Sequence, residues 1–187
     1  MNLKIYDEPW PHMVIDNFFD TDTLAHIKKH IEDRTYWQER CSYVKPIPDQ
    51  ITKELGSSIS YCDINDTIIG SFLENRWKEI DVFNSLVSSD RGHNITKHVW
   101  EVKFTTEPGA LDIHIEHPNK VATMTIYIHP LHDNGTFYFD ANKNFYKAVA
   151  WKPNRACVMS NRDNYWHAYA GYEDHTRITI NSFLVRN

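Results

Sequence analysis

The sequence predicts a mostly β protein in which a helical and irregular N-terminal part leads into a jelly-roll barrel braced by helices on one face. Two observations carry this expectation. From about His98 to the C-terminus, polar and apolar residues alternate with period two in short runs, each closed by turn residues. Before that point apolar residues recur at helical spacing in two separate segments.

In chain order, Val14 to Phe19 (VIDNFF) reads as a short strand, and Asp20 or Thr21 then caps a helix. Leu24, Ile27 and Ile31 form its buried face, and Lys28, Lys29 and Asp33 its wet one. Residues 37 to 62 hold two prolines, a glycine and scattered serines, so they read as irregular apart from one helical turn near Ile51 to Leu55. A second helix is predicted from about Asp66 to Ile80 on the stripe Ile69, Phe72, Leu73, Trp77 and Ile80, and Ser88 to Gly92 ends that region. Eight strands follow, near 99–105, 111–116, 121–129, 136–140, 145–151, 156–159, 166–170 and 177–185. Glu107-Pro108-Gly109, His117-Pro118-Asn119, Asp133-Asn134-Gly135, Lys152-Pro153-Asn154 and Glu173-Asp174 supply breaks between them.

At 187 residues the expected organisation is one domain over 1–187, with the N-terminal part at about 1–97 and the β core at about 98–187. A net charge of -5, with the basic residues scattered, leaves no electrostatic footprint for a nucleic acid backbone. Cys41, Cys62 and Cys157 are odd in number and far apart, which suits neither a disulfide framework nor a thiolate zinc site and fits a reducing cytoplasm. MNLKIYDEPW lacks the apolar run of a signal peptide, and no window approaches the roughly 20 apolar residues of a membrane span. A soluble cytoplasmic protein is expected, and no feature sets an oligomeric state.

Eleven histidines make a chance His-x-acid triplet an ordinary event, and two occur. His30-Ile31-Glu32 falls on a helix, where positions two apart point to nearly opposite sides, and reads as a solvated face. His114-Ile115-Glu116 falls on a strand, where i and i+2 share a side, so its imidazole and carboxylate converge. The same alternation sends Asp112, His114 and Glu116 to the barrel interior and Ile113 and Ile115 away from it. An interior that polar needs a metal, a ligand or water. Two neutral imidazoles and one carboxylate are a set that leaves open positions on Fe(II), and His167 is the best third member. Ten residues further, Arg177 opens a strand in which Arg177, Thr179 and Asn181 share one face and Ile178 and Ile180 the other. A buried Arg facing a cavity suits a carboxylate, which its planar fork grips with two hydrogen bonds. His117, His129, His132 and His175 read as surface residues, Lys103 and Lys120 as solvated lysines or guides for a substrate anion, and Trp100, Trp151 and Trp166 as core.

The order His-x-acid, some fifty residues, His, then Arg ten later resembles the Fe(II)/2-oxoglutarate-dependent oxygenases, especially their prolyl-4-hydroxylase-like branch. HIEHPNKVATMTIYIHP (114–130) is similar to the branch's metal pair and the Thr/Tyr-rich strand after it. Asn134-Gly135-Thr136 resembles its Gly-Gly-Thr turn, Trp151 to Ala156 its Pro-led turn, and Val14 to Ile31 its opening strand and helix. Residues 35–95 show no likeness, and Glu116 stands where the family usually has Asp. The resemblance implies a double-stranded β-helix core with His114, Glu116 and His167 as catalytic metal ligands. It further implies 2-oxoglutarate as co-substrate, its distal carboxylate on Arg177 with hydrogen bonds from Tyr127 and Thr179. Dioxygen would be consumed, 2-oxoglutarate decarboxylated to succinate and a substrate C–H oxidised, ordinarily by hydroxylation; a retained carboxylate argues against halogenation. The substrate would be peptidyl or a small molecule. Two other readings stand beside this one: a cupin-like metal-binding protein, and a binding module on the same fold without catalysis.

Overall fold

The computed structural model describes residues 2–46, 54–55, 58–79, 95, 97–106, 110–171 and 176–186. The chain runs β1 (Asn2–Tyr6), β2 (His12–Asp16), α1 (Thr21–His30), α2 (Arg34–Arg40), β3 (Tyr43–Pro46), β4 (Glu54–Leu55), β5 (Ser58–Cys62) and α3 (Thr67–Glu79). It continues through β6 (Lys97–Thr105), β7 (Ala110–His114), β8 (Lys120–His129), β9 (Thr136–Phe139), β10 (Phe145–Val149), β11 (Arg155–Ser160), β12 (His167–Ala170) and β13 (Arg177–Val185). An eight-stranded sheet has the order β1-β2-β11-β8-β13-β6-β5-β3, and a five-stranded sheet the order β10-β9-β12-β7-β4. Strands β6 to β13 are the eight expected from periodicity. Four of them lie in each sheet, paired antiparallel, as a double-stranded β-helix.

The large sheet has two chemically different faces. Val102, Phe104, Met124, Ile126, Ile178 and Ile180 point to one side and are buried against Ile27 of α1, Trp37 of α2 and Ile69, Leu73 and Trp77 of α3. Each such aliphatic contributes about 1.5–3 kcal/mol when fully buried. The alternate residues, Glu101, Lys103, Thr123, Thr125, Arg177, Thr179 and Asn181, line a cavity on the other side, as the period of two requires. The helical layer is tied together at Asp66. Its Oδ1 accepts from the N–H groups of Ile68 (3.0 Å) and Ile69 (2.9 Å) to cap α3, while Oδ2 meets His26 Nε2 of α1 at 2.9 Å and accepts from the Tyr36 hydroxyl of α2. Asp20 caps α1 as expected, accepting from Thr23 N at 2.8 Å.

The N-terminal part is more regular than its composition suggested. Tyr43–Pro46 and Ser58–Cys62 are strands that continue the large sheet beyond β6, and Arg34–Arg40 is a short helix capped by Asp33. The reason is tertiary: β6 has a second edge whose backbone groups need partners, and β5 satisfies them. Glu54 and Leu55 pair with β7 as a strand, not a helical turn; Ile51 to Lys53 lie outside the described residues. The first expected strand begins at His12 and stops at Asp16, because Asn17 turns into the left-handed region at φ 53°. Ile80, Ser88 to Gly92, Glu107 to Gly109, Glu173, Asp174 and His175 also lie outside the described residues.

Two expectations about stability follow. A Cβ on Gly135 would sit 1.6 Å from the Val149 carbonyl oxygen, where neighbouring backbone must move. Gly135→Ala should therefore cost about 3 kcal/mol, near the upper range of overpacking, and lower the melting temperature by roughly 6–12 °C for a chain of this size. An unchanged melting temperature would show that the turn yields. His12 is fully buried among Tyr6, Trp10 and Tyr138, and burial pushes its imidazole from 6.5 down to about 4. The unfolded chain thus takes up a proton that the folded one refuses, so stability is full above about 6.5 and falls as pH drops towards 4. Urea midpoints measured across that window should fall, with a shallower slope in His12→Phe; equal slopes would remove His12 from the effect.

Candidate functional site

His114 ends β7 and His167 opens β12, and the two are direct partners across the small sheet. Their rings stand 4.2 Å apart, centroid to centroid. Glu116 follows two residues after the strand end, not within the strand as expected, and its side chain is 12% exposed with Oε1 3.7 Å from His167 Nε2. One donor atom from each of the three lies within 4.8 Å of the others. Both imidazoles are oriented from behind: His114 Nδ1 is 2.8 Å from the Asp112 carbonyl oxygen and His167 Nδ1 is 3.1 Å from that of Tyr165. A carbonyl only accepts, so Nδ1 carries a proton toward it in each ring, which leaves Nε2 as the nitrogen available to a metal.

The β7–β12 pairing also corrects one expectation. His167 faces His114, but Tyr169 faces Leu111, so three steps on β7 match two on β12. This bulge breaks the alternation. Leu111 and His114 both line the cavity, while Asp112 is exposed and its Oδ1 accepts from Ile113 N at 2.8 Å. Only two of the three ionisable groups assigned to the interior are there.

Burial pushes the His114 imidazole down to about 4, His167 adds to the shift, and Glu116 opposes it, so His114 is neutral at pH 7. For Glu116, burial alone would raise the carboxyl, but Lys120 Nζ at 2.6 Å and the two imidazoles outweigh it and hold the group well below its ordinary range. Two imidazoles and one carboxylate, fixed in position, are a ligand set fit for a divalent cation of the first transition row.

The same cavity, about 550 Å³, reaches Arg177 and Thr179 on β13. Arg177 is buried, its guanidinium 4.5 Å from the Trp151 ring centre and 4.6 Å from that of Tyr169. Its hydrogen bonds among the described residues engage Nη1 alone, to the Asn134 carbonyl oxygen (2.6 Å) and Asp133 Oδ2 (3.3 Å). Tyr127 does not line the cavity. Its hydroxyl lies behind the wall, 2.7 Å from Thr136 Oγ1 and 3.2 Å from Cys157 Sγ. Sequence reasoning passed over Tyr138, which does line the cavity and is fully buried beside Cys157. The signal was present, since the period of two in β9 turns Thr136 and Tyr138 to the same side. Lys120, read as solvated or a substrate guide, instead pairs with Glu116. Among the remaining residues read from sequence, His117 and His132 are exposed, Trp100 is buried, and Trp151 is half-buried with its Nε1 donating to the Pro130 carbonyl at 2.8 Å.

No protein-family model matches the chain, and no curated protein matches it in sequence. Solved structures do match in fold. A prolyl-4-hydroxylase of Pseudomonas putida aligns over 94% of this chain and 92% of its own, with a TM-score of 0.64 at 9% identity. A prolyl hydroxylase of Trichoplax adhaerens, in complex with a hypoxia inducible factor peptide fragment, aligns over 93% and 83%, with a TM-score of 0.64 at 14% identity. The viral collagen prolyl hydroxylase of Paramecium bursaria Chlorella virus-1, in a 2-oxoglutarate complex, aligns over 94% and 96%, with a TM-score of 0.57 at 14% identity. The fold of this chain is thus the one these Fe(II)/2-oxoglutarate oxygenase structures have, prolyl hydroxylases among them.

Proposed function

We propose that this protein is an Fe(II)/2-oxoglutarate-dependent oxygenase, in its ordinary outcome a hydroxylase, with His114, Glu116 and His167 as the iron ligands. The observation that carries the reading is that the three donors and the buried Arg177 line one cavity in a fold shared with such enzymes. When bound, iron and 2-oxoglutarate together supply dioxygen activation and the oxidising power, with succinate as co-product. The chain's own groups hold and orient. Arg177 grips the distal carboxylate of 2-oxoglutarate with the part of its fork that Asp133 and Asn134 do not use, and Thr179, two residues on along the same face, donates to it. Tyr127 contributes from behind the wall by holding Thr136: its hydroxyl accepts from Thr136 N at 2.9 Å. Residues of both the small sheet and the large sheet line the cavity.

A peptidyl or small-molecule substrate belongs to the same proposal, and the peptide carried by the Trichoplax enzyme gives the peptidyl class its support. Three unbridged cysteines fit a reducing, cytoplasmic setting. A cupin-like site ordinarily draws on more imidazoles, whereas the ligand group among the described residues has three members, two of them His.

His114→Ala or His167→Ala should abolish iron binding in anaerobic dialysis while circular dichroism keeps its β signature, since two remaining ligands hold Fe(II) poorly. Full iron stoichiometry in either variant would remove that residue from the set.

Arg177→Met should weaken 2-oxoglutarate binding, read by calorimetry, by at least a hundredfold. Stripping one partner from a buried charged pair typically costs about 3–5 kcal/mol. Iron affinity should hold, and Arg177→Lys should recover part of the loss, keeping charge without the fork. The melting temperature will fall as well, because Asp133 loses its buried partner. Lost stability with intact 2-oxoglutarate affinity would assign Arg177 to Asp133 alone.

A further inference from the structure

We propose that Lys120 is a positioning residue for the carboxylate of Glu116, fixing which of its oxygens is offered to a metal; this rests on the metal reading above. The two oxygens of Glu116 have different surroundings. Oε2 accepts from Lys120 Nζ at 2.6 Å, while Oε1 is turned to the imidazoles, 3.7 Å from His167 Nε2. One oxygen is therefore spent on the lysine and one is presented to the metal position. A carboxylate held in this way offers a single donor and leaves more of the metal's positions to the co-substrate and dioxygen.

The lysine can do this because it is itself fixed. Lys120 opens β8, and the turn from Glu116 is closed by Lys120 N donating to the His117 carbonyl at 2.9 Å. Arg186 N donates to the Asn119 carbonyl at 2.9 Å, and Asn161 Nδ2 to that of Lys120 at 3.1 Å, so both residues at the end of the turn are pinned to other strands. The ammonium also lies 3.9 Å from the centre of the Phe183 ring, a second attraction that sets its direction. Glutamate carries one more rotatable bond than aspartate and so loses more freedom when it is ordered at a metal. A partner fixed by backbone hydrogen bonds and a ring supplies that order before any metal arrives. Groups placed behind metal ligands typically alter metal affinity by about 10–100-fold.

The test uses the metal-free protein and Co(II), followed by calorimetry and by its visible absorption bands. Lys120→Met should weaken Co(II) binding by about 10–100-fold and shift those bands, while Lys120→Arg restores most of both. The shorter arm of Glu116→Asp cannot reach the ammonium and the metal position together, so adding Lys120→Met to that variant should cost little more. Should Lys120→Met fold poorly, Lys120→Gln, which keeps a polar head without the charge, replaces it in both the Glu116 and the Glu116→Asp backgrounds, because a lysine that only stabilises the fold gives equal losses with Glu116 and with Asp. Wild-type affinity and spectrum in a folded Lys120→Met, or equal losses in both backgrounds, would overturn the role of Lys120 and leave the metal reading standing. A wild-type protein that takes up no Co(II) would overturn both.

Discussion

The backbone pairing of His167 with His114 is the constraint on which the rest of the site hangs. Because β12 and β7 are neighbours in the small sheet, the separation of the two imidazoles is set by sheet geometry and not by the reach of two flexible side chains. Carbonyls of Asp112 and Tyr165, each two residues before its histidine, then orient the rings. The bulge on β7 is part of the same arrangement. It turns Leu111 and His114 to one side and releases Asp112 to solvent, sparing the cavity a carboxylate with no partner there. Glu116 only has to arrive from the adjoining turn.

The second requirement is that the large sheet be apolar on one face alone. Helices α1, α2 and α3 cover the face of Met124, Ile126, Ile178 and Ile180, and most of the core lies there. With stability drawn from that layer, the opposite face is free to be polar. It is polar in an ordered way: Asn181 Nδ2 donates to Glu101 Oε1 at 2.9 Å, and Asn161 Nδ2 to Thr123 Oγ1 at 3.2 Å. Buried polar groups tolerate a low-dielectric cavity only when paired like this.

What was legible in the sequence was what is local. Period two marks β6 to β13 because each strand carries its own record of which side faces the helices, and the sharing of a face by Arg177, Thr179 and Asn181 follows from it. That His114, Glu116 and His167 lie together and that Arg177 lines the same cavity was legible through spacing that one strand or one family pattern can carry. Strands β3 and β5 were not found, because Tyr43–Pro46 and Ser58–Cys62 are ordered by pairing with each other and with β6, far along the chain. The bulge escaped for a related reason: it is a mismatch between β7 and β12, and neither strand shows it alone. Partners were the least legible of all. Nothing in the spacing of Arg177 announces Asp133, forty-four positions earlier, and Lys120 beside Glu116 reads as one more lysine until the turn between them is seen to close.

Those two unforeseen partners bear on how the proposed chemistry is electrically possible. Glu116 is paired with Lys120 and Arg177 with Asp133, and His114 is neutral, so neither ion at the two ends of the proposed site stands unpaired in the folded protein. On the proposed reading a divalent cation and a dianionic co-substrate have opposite charges, and each makes the other's binding more favourable. Coupling of that kind is reciprocal: whatever factor iron adds to 2-oxoglutarate affinity, 2-oxoglutarate adds to iron affinity. On the proposed reading Arg177 serves Asp133 and a ligand carboxylate together, and a guanidinium with five donors in one plane, near the rings of Trp151 and Tyr169, can divide itself in a way a single ammonium cannot.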